Sequence, residues 1–188
     1  MKGKLVIFTA PSGAGKTTIV KHLLNNIEGL AFSVSATNRA RRPKETDGKD
    51  YYFISTAEFE REIADGAFLE WEEVYAGQYY GTLKREVNRL LEEGKNIIFD
   101  IDVKGATNIK SAYPDNSLAI FVKPPSPEVL FERLLERRTE DNKSLAKRIA
   151  RAAEELKYEK SFDVVLLNDN LEEAQKQAAI LASNFLGI

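Results

Sequence analysis

The sequence predicts an α/β fold in which helices flank a parallel sheet and a small mixed α/β lobe is inserted. Three observations predict it. Short β-branched and apolar runs recur along the 188 residues. They read as continuous rather than alternating, as parallel strands covered on both faces do. Amphipathic stretches separate them, and one segment, 34–82, breaks the alternation with a composition rich in Arg, Tyr, Gly and Thr.

In chain order, strands are expected at Leu5–Thr9, Leu30–Ser35, Ile97–Ile101, Leu118–Val122 and Val164–Leu167. Helices are expected near 16–26, 83–93, 103–112, 127–138, 144–159 and 171–185. Ser126-Pro127 supplies a cap and then a proline at the first helical position, where a missing N–H costs nothing. Asp102 is placed to cap the helix near 103–112, and Gly94 stands where the 83–93 helix should stop. Inside 34–82, short strands are expected at Tyr51–Ser55 and Phe68–Val74. A helix lies between them, with Ser55 and Glu58 at capping-box spacing. In the last helix Ala174, Ala178, Leu181 and Phe185 are expected to face inward.

Composition excludes several function classes. The absence of cysteine removes disulfide frameworks, Cys-ligated zinc and thiol catalysis. A single histidine, His22, makes a His-rich metal site or a Ser-His-Asp hydrolase a poor fit, and is read as a helix-surface residue. No apolar run approaches the ~18 residues of a membrane span, and the N-terminal apolar stretch is short for a signal peptide. A cytoplasmic, membrane-free protein is expected. Lys+Arg 27 against Asp+Glu 29 gives no global attraction for nucleic acid. That balance hides local charge. Residues 56–73 hold seven acids and one Arg, 133–151 hold seven bases and three acids, and 39–44 hold four bases. The arrangement suits small polyanions held at local sites.

The first such site is local in sequence. The strand Leu5–Thr9 leads into Ala10-Pro11-Ser12-Gly13-Ala14-Gly15-Lys16-Thr17-Thr18 and then a helix, the context a phosphate-binding loop requires. Gly13 and Gly15 let backbone N–H groups converge on phosphate oxygens, and the helix N-terminus adds partial positive charge. Lys16 is expected at the β- and γ-phosphates of a nucleoside triphosphate, and the Thr17 hydroxyl at Mg²⁺. Ala10 replaces the usual first glycine of the motif, which is tolerable at φ < 0. Ile97-Ile98-Phe99-Asp100 ends an apolar strand in a carboxylate, where such enzymes hold Mg²⁺ or its waters.

A second constellation follows the second strand. Arg39-Ala40-Arg41-Arg42-Pro43-Lys44-Glu45 is followed by Tyr51, by Leu69-Glu70-Trp71 and by Tyr79-Tyr80-Gly81-Thr82. Arginine forks and tyrosine hydroxyls suit a phosphate monoester. Ser35, Glu70 and Thr82 suit a guanine edge, because a carboxylate accepts from N1–H and the 2-amino group while a hydroxyl donates to O6. Adenine reverses that pattern, and a site of this kind can discriminate by roughly 10⁴.

These residues, with Phe32-Ser33-Val34-Ser35, Gly48-Lys49-Asp50-Tyr51, Asp100-Ile101-Asp102, Pro124-Pro125-Ser126 and Asn168-Asp169, resemble the guanylate kinases over nearly the whole chain. The resemblance implies a P-loop kinase core over about 1–33, 83–125 and 160–188, a GMP-binding lobe over about 34–82 and a helical lid over about 126–159. It implies ATP-dependent, Mg²⁺-assisted phosphorylation of GMP, and of dGMP. Residues 10–18 with Arg133, Arg137 and Asn168 would hold ATP. Ser35, Glu70 and Thr82 would contact guanine, and Arg39, Arg42, Tyr51 and Tyr80 the GMP phosphate, with Asp100 between the nucleotides. Lys16, Arg39, Arg137 and Arg148 would neutralise charge during transfer. Partners are then ATP and GMP, with the chain a monomer or weak homo-oligomer. Arg41, Lys44 and Arg138 depart from the family pattern, where proline, glycine and glycine are usual. A non-enzymatic interaction module and a kinase of another phosphorylated small molecule are the alternatives. Intact Gly15-Lys16-Thr17 counts against the first, and the Ser35, Glu70 and Thr82 set against the second.

Overall fold

The first strand, β1 (Leu5–Thr9), is apolar up to its last residue, and all five side chains are buried. A strand can be buried on both faces only at the centre of a covered sheet. The computed structural model, which describes residues 3–136 and 142–188, places it there. β1 pairs in parallel with β7 (Asn96–Ile101) on one side and β8 (Ser117–Lys123) on the other. β2 (Leu30–Phe32) and β9 (Val164–Leu167) complete the sheet in the order β2-β7-β1-β8-β9. The fold is thus α/β on a parallel sheet.

Alternation along the strands divides the core in two. Val6, Phe8, Ile98, Ile120 and Val122 face α1 (Lys16–Asn26), α7 (Leu171–Leu186) and Leu130 and Leu134 of α5 (Pro127–Glu136). Ala152 of α6 (Asn142–Leu156) joins the same cluster. Leu5, Ile7, Ile97 and Phe99 face α3 (Lys84–Glu92) and α4 (Val103–Ala112). Asp102 caps α4, accepting from the N–H groups of Lys104 and Gly105. Ala174 and Ala178 of α7 are buried as expected, joined by Ala182 and Leu186, while Leu181 and Phe185 pack at the margin of the cluster.

The expected strand Leu30–Ser35 ends early, at Phe32. Beyond Ser33 the chain crosses to a second, four-stranded mixed sheet ordered β4-β3-β6-β5. Its strands are β3 (Ala36–Thr37), β4 (Tyr52–Phe53), β5 (Phe68–Tyr75) and β6 (Gln78–Leu83). β6 was not among the expected strands. α2 (Thr56–Ala64) closes this sheet, with the Ser55–Glu58 capping box formed and Phe59 stacked on Phe68. Trp71 is 40% exposed, edge-on to Tyr79. The carboxyl ends of β1 and β7 and the inner face of the small sheet border one cleft, the position at which open α/β sheets bind ligands.

Candidate active site

The phosphate loop is held open by glycine chemistry. Gly13 and Gly15 have φ near +90°, and a Cβ on Gly15 would stand 2.4 Å from Asn168 Nδ2. Ala10 does not disturb the loop, because its methyl packs into the core beside Val6 and Phe8. No side chain caps the start of α1, and its first turn carries no acid, so the positive end of the helix dipole is presented to a ligand. Lys16 Nζ pairs with Asp100 Oδ1, and Thr17 Oγ1 donates to Asp100 Oδ2 at 2.6 Å. Burial pushes the Lys16 ammonium down to about 8, against the pull of Asp102 and Glu155.

Across the cleft, Arg39 is fixed from three directions. Its Nη1 and Nη2 donate to the two Glu45 oxygens at 2.7 and 2.6 Å, and its Nε to Tyr80 Oη at 3.0 Å. Its guanidinium carbon lies 5.1 Å from the Tyr51 ring centroid. The Arg39 hydrogen bond holds the Glu45 carboxyl down at about 2. Glu45 also accepts from the Arg42 N–H at 2.8 Å, so one carboxylate shapes the whole basic loop. Arg41 and Lys44, the two departures in this loop, face solvent.

Glu70 and Thr82 are register partners on β5 and β6. The Thr82 hydroxyl donates to Glu70 Oε1 at 2.5 Å, and both residues are buried. Burial pushes the Glu70 carboxyl up to about 7, with the Thr82 hydrogen bond opposing it. Glu70 Oε2 rests against Gly105, where a Cβ would come within 2.6 Å. α4 therefore approaches the carboxylate as closely as a backbone can.

One cleft of about 300 Å³ brings these groups together. Residues 10–18 form one wall, and Ser35, Arg39, Arg42, Tyr51, Glu70 and Tyr80 the other. Asp100 stands between the walls, and Arg148 lines the cleft from α6. Three expected residues stand behind it. Thr82 is reached through Glu70. Asn168 donates from Nδ2 to the Ala14 carbonyl at 2.7 Å, and Arg133 reaches the Asn168 carbonyl at 3.4 Å. Arg137 and Arg138 lie outside the described residues.

A family model described as guanylate kinase matches residues 2–183. The chain belongs to the guanylate kinase family. It is 46% identical over 185 residues to a guanylate kinase of Chlorobium chlorochromatii, covering 98% of this chain and 97% of that one. It is 47% identical over 184 residues to a guanylate kinase of Porphyromonas gingivalis, covering 97% and 98%. The crystal structure of guanylate kinase from Anaplasma phagocytophilum superposes with a TM-score of 0.77 at 28% identity, covering 98% of this chain and 87% of that one.

Within this guanylate kinase fold, the cleft is also lined by residues not named among the expected site residues, Glu72, Val74, Tyr75, Arg151 and Glu155 among them. A signal for the last two was present. Arg148, Arg151 and Glu155 follow i, i+3, i+7 spacing and share a helix face. Glu45 was legible as the lone acid closing a basic run, but its bidentate hold on Arg39 was not.

Proposed function

We propose that the chain transfers the γ-phosphoryl group of ATP to GMP, and to dGMP, giving ADP and the nucleoside diphosphate. The observation that carries this reading is the buried Glu70–Thr82 pair, which opens onto the same cleft as the phosphate loop. A buried carboxylate there accepts from guanine N1–H and the 2-amino group, while adenine would leave it with the Thr82 hydroxyl but without those two donors, at a cost of ~1–3 kcal/mol. The Ser35 hydroxyl, on the same wall, suits O6.

No general base is required. A nucleoside monophosphate loses its second proton near ~pH 6, so the attacking oxygen is already anionic at neutral pH. The task is to align two polyanions and cancel their repulsion. Arg39, fixed by Glu45 and Tyr80, orients the acceptor phosphate together with Arg42 and Tyr51. Lys16 and the N–H groups of the loop hold the donor phosphates, and Arg148 faces the space between, with Arg137 assigned the same task by the motif. Asn168 braces the loop from behind and borders the position of the adenine. The Thr17 hydroxyl and Asp100 carboxylate, 2.6 Å apart, form the hard-oxygen pair that Mg²⁺ prefers. Thr17 would bind the ion directly and Asp100 through water. When bound, Mg²⁺ would neutralise charge on the β- and γ-phosphates.

In this reading 34–82 is the acceptor lobe, 126–159 the lid and the remainder the core. The partners are ATP and GMP in the cytoplasm, and the chain acts as a monomer or weak homo-oligomer. No helix among the described residues is long and apolar enough to cross a membrane. A coupled assay with ATP and Mg²⁺, offering GMP, dGMP, AMP, UMP and CMP, tests the assignment. Turnover is expected with the guanine nucleotides alone. Glu70→Gln should lower kcat/KM for GMP at least tenfold and leave KM for ATP within twofold. Turnover without base preference, or equal losses on both nucleotides, would remove Glu70 as the base reader.

A further inference from the structure

Arg151 faces the cleft from α6, yet its guanidinium is committed to protein. Nε donates to Glu155 Oε1 at 2.6 Å, Nη1 to the Val74 carbonyl at 2.6 Å and Nη2 to Asp102 Oδ2 at 3.1 Å. Its guanidinium carbon lies 5.7 Å from the Tyr75 ring centroid. Val74 and Asp102 tie Arg151 to other elements, and Glu155, on the same helix, relays the contact to a third. Glu155 Oε2 accepts from the Ser12 N–H in the phosphate loop at 3.3 Å. Asp102 Oδ1 caps α4, accepting from the Gly105 N–H at 2.9 Å. Val74 lies on β5, where the β5–β6 register shifts, four residues beyond Glu70 on the same strand.

Three of the five N–H donors of this guanidinium are held by a backbone carbonyl and two carboxylates, so protein contacts set its orientation. The side chain is well placed to hold elements at fixed distances, because the planar fork sets several directions at once. The Val74 contact matters most, since it joins α6, which carries Arg148, to the strand that carries Glu70. We propose that Arg151 is a positioning residue that couples the two nucleotide sites, fixing α6 and the phosphate loop against β5. The inference rests on the ATP and GMP reading given above. A nucleotide that draws α6 toward the phosphate loop thereby settles β5 for the acceptor. By reciprocity the acceptor strengthens binding of the donor by the same factor, and such couplings typically amount to about 5–150-fold.

Isothermal titration of the full chain measures this. GMP affinity is determined with and without saturating Mg²⁺ and a non-hydrolysable ATP analogue, and the analogue's affinity with and without GMP. In the wild type each nucleotide should tighten the other at least fivefold. In Arg151→Ala that factor should fall to within twofold of unity, with the affinity of each nucleotide alone changed less than threefold. Arg151→Lys keeps the charge near Asp102 and Glu155 without the fork. It should fold like the wild type and recover only part of the coupling, which keeps the test decisive if the alanine variant unfolds. Coupling that survives both substitutions overturns the proposal, as does a uniform loss of both affinities with the coupling factor intact. A wild type that binds the analogue but no GMP overturns the underlying substrate reading instead.

Discussion

Glu70 owes its position to a residue that has no side chain. Thr82 fixes Oε1, but Oε2 stands where a Cβ on Gly105 would approach to 2.6 Å, and to 3.0 Å from the carboxyl carbon. Gly105→Ala is therefore expected to push the carboxylate off its Thr82 partner rather than to unfold the helix. Alanine is the better helix former by ~0.5–1 kcal/mol, which offsets much of the crowding. The thermal midpoint should stay within about 4 °C, a shift of roughly 1 kcal/mol or less. KM for GMP should rise at least tenfold while KM for ATP holds. An unchanged KM for GMP would show that the carboxylate can yield without loss of function. The local parts of this site were legible in the sequence. Residues 10–18 specify their loop through glycines and a helix start that are contiguous. Gly105 and Arg151 were not legible, because their importance lies in atoms 35 and 77 positions away along the chain, Glu70 and Val74.

At the scale of elements, α2 shows what local chemistry settles. Ser55 Oγ accepts from the Glu58 N–H at 3.2 Å, and Glu58 Oε2 accepts from the Ser55 N–H at 2.8 Å. The helix so fixed delivers Phe59 to the small core with Ala36, Phe68 and Leu83. Ser55→Ala should cost ~1 kcal/mol by urea denaturation, the usual loss for an N-cap. Since α2 does not border the cleft, kcat should be unchanged. A loss of activity without a loss of stability would contradict this division of labour. The capping box was readable because both partners lie within one helical turn. β2 was overextended for the opposite reason. Phe32-Ser33-Val34 stays compatible with a strand, and nothing within it announces that the chain changes sheets after Ser33. β6 escaped because Gly77-Gln78-Tyr79-Tyr80-Gly81-Thr82 lacks strand alternation. Gly81 is demanded from across the sheet, since a Cβ there would meet the Phe68 ring at 2.7 Å and the Trp71 Cβ at 2.9 Å.

At the scale of the whole molecule, the cleft holds charge that the fold does not favour. Burial pushes Glu70 up from the ordinary 4.5 of a glutamate to about 7, and Lys16 down from the ordinary 10.5 of a lysine to about 8. The signs separate the two by pH. Below 4.5 Glu70 is protonated in both folded and unfolded chains and costs nothing. As pH rises through 4.5 to 7 the unfolded carboxyl ionises first, so folding stability falls until the folded group ionises too. Lys16 costs stability at all pH values below 8, where it is charged in both states, and its contribution is constant there. Glu45, held at about 2, is ionised in both states above 4.5 and adds no slope. Glu70 thus dominates the change among these three groups between pH 5.5 and pH 8. Glu70→Gln removes this ionisation and keeps a group that can still accept from Thr82. Relative to the wild type, the variant should gain about 2 kcal/mol between those two pH values in the absence of nucleotide. Urea denaturation of both proteins at pH 5.5 and 8 measures it. GMP should shrink the difference, because guanine N–H donors let the carboxylate ionise with partners. A stability gap that does not change with pH would mean that Glu70 ionises as readily in the fold as in the open chain.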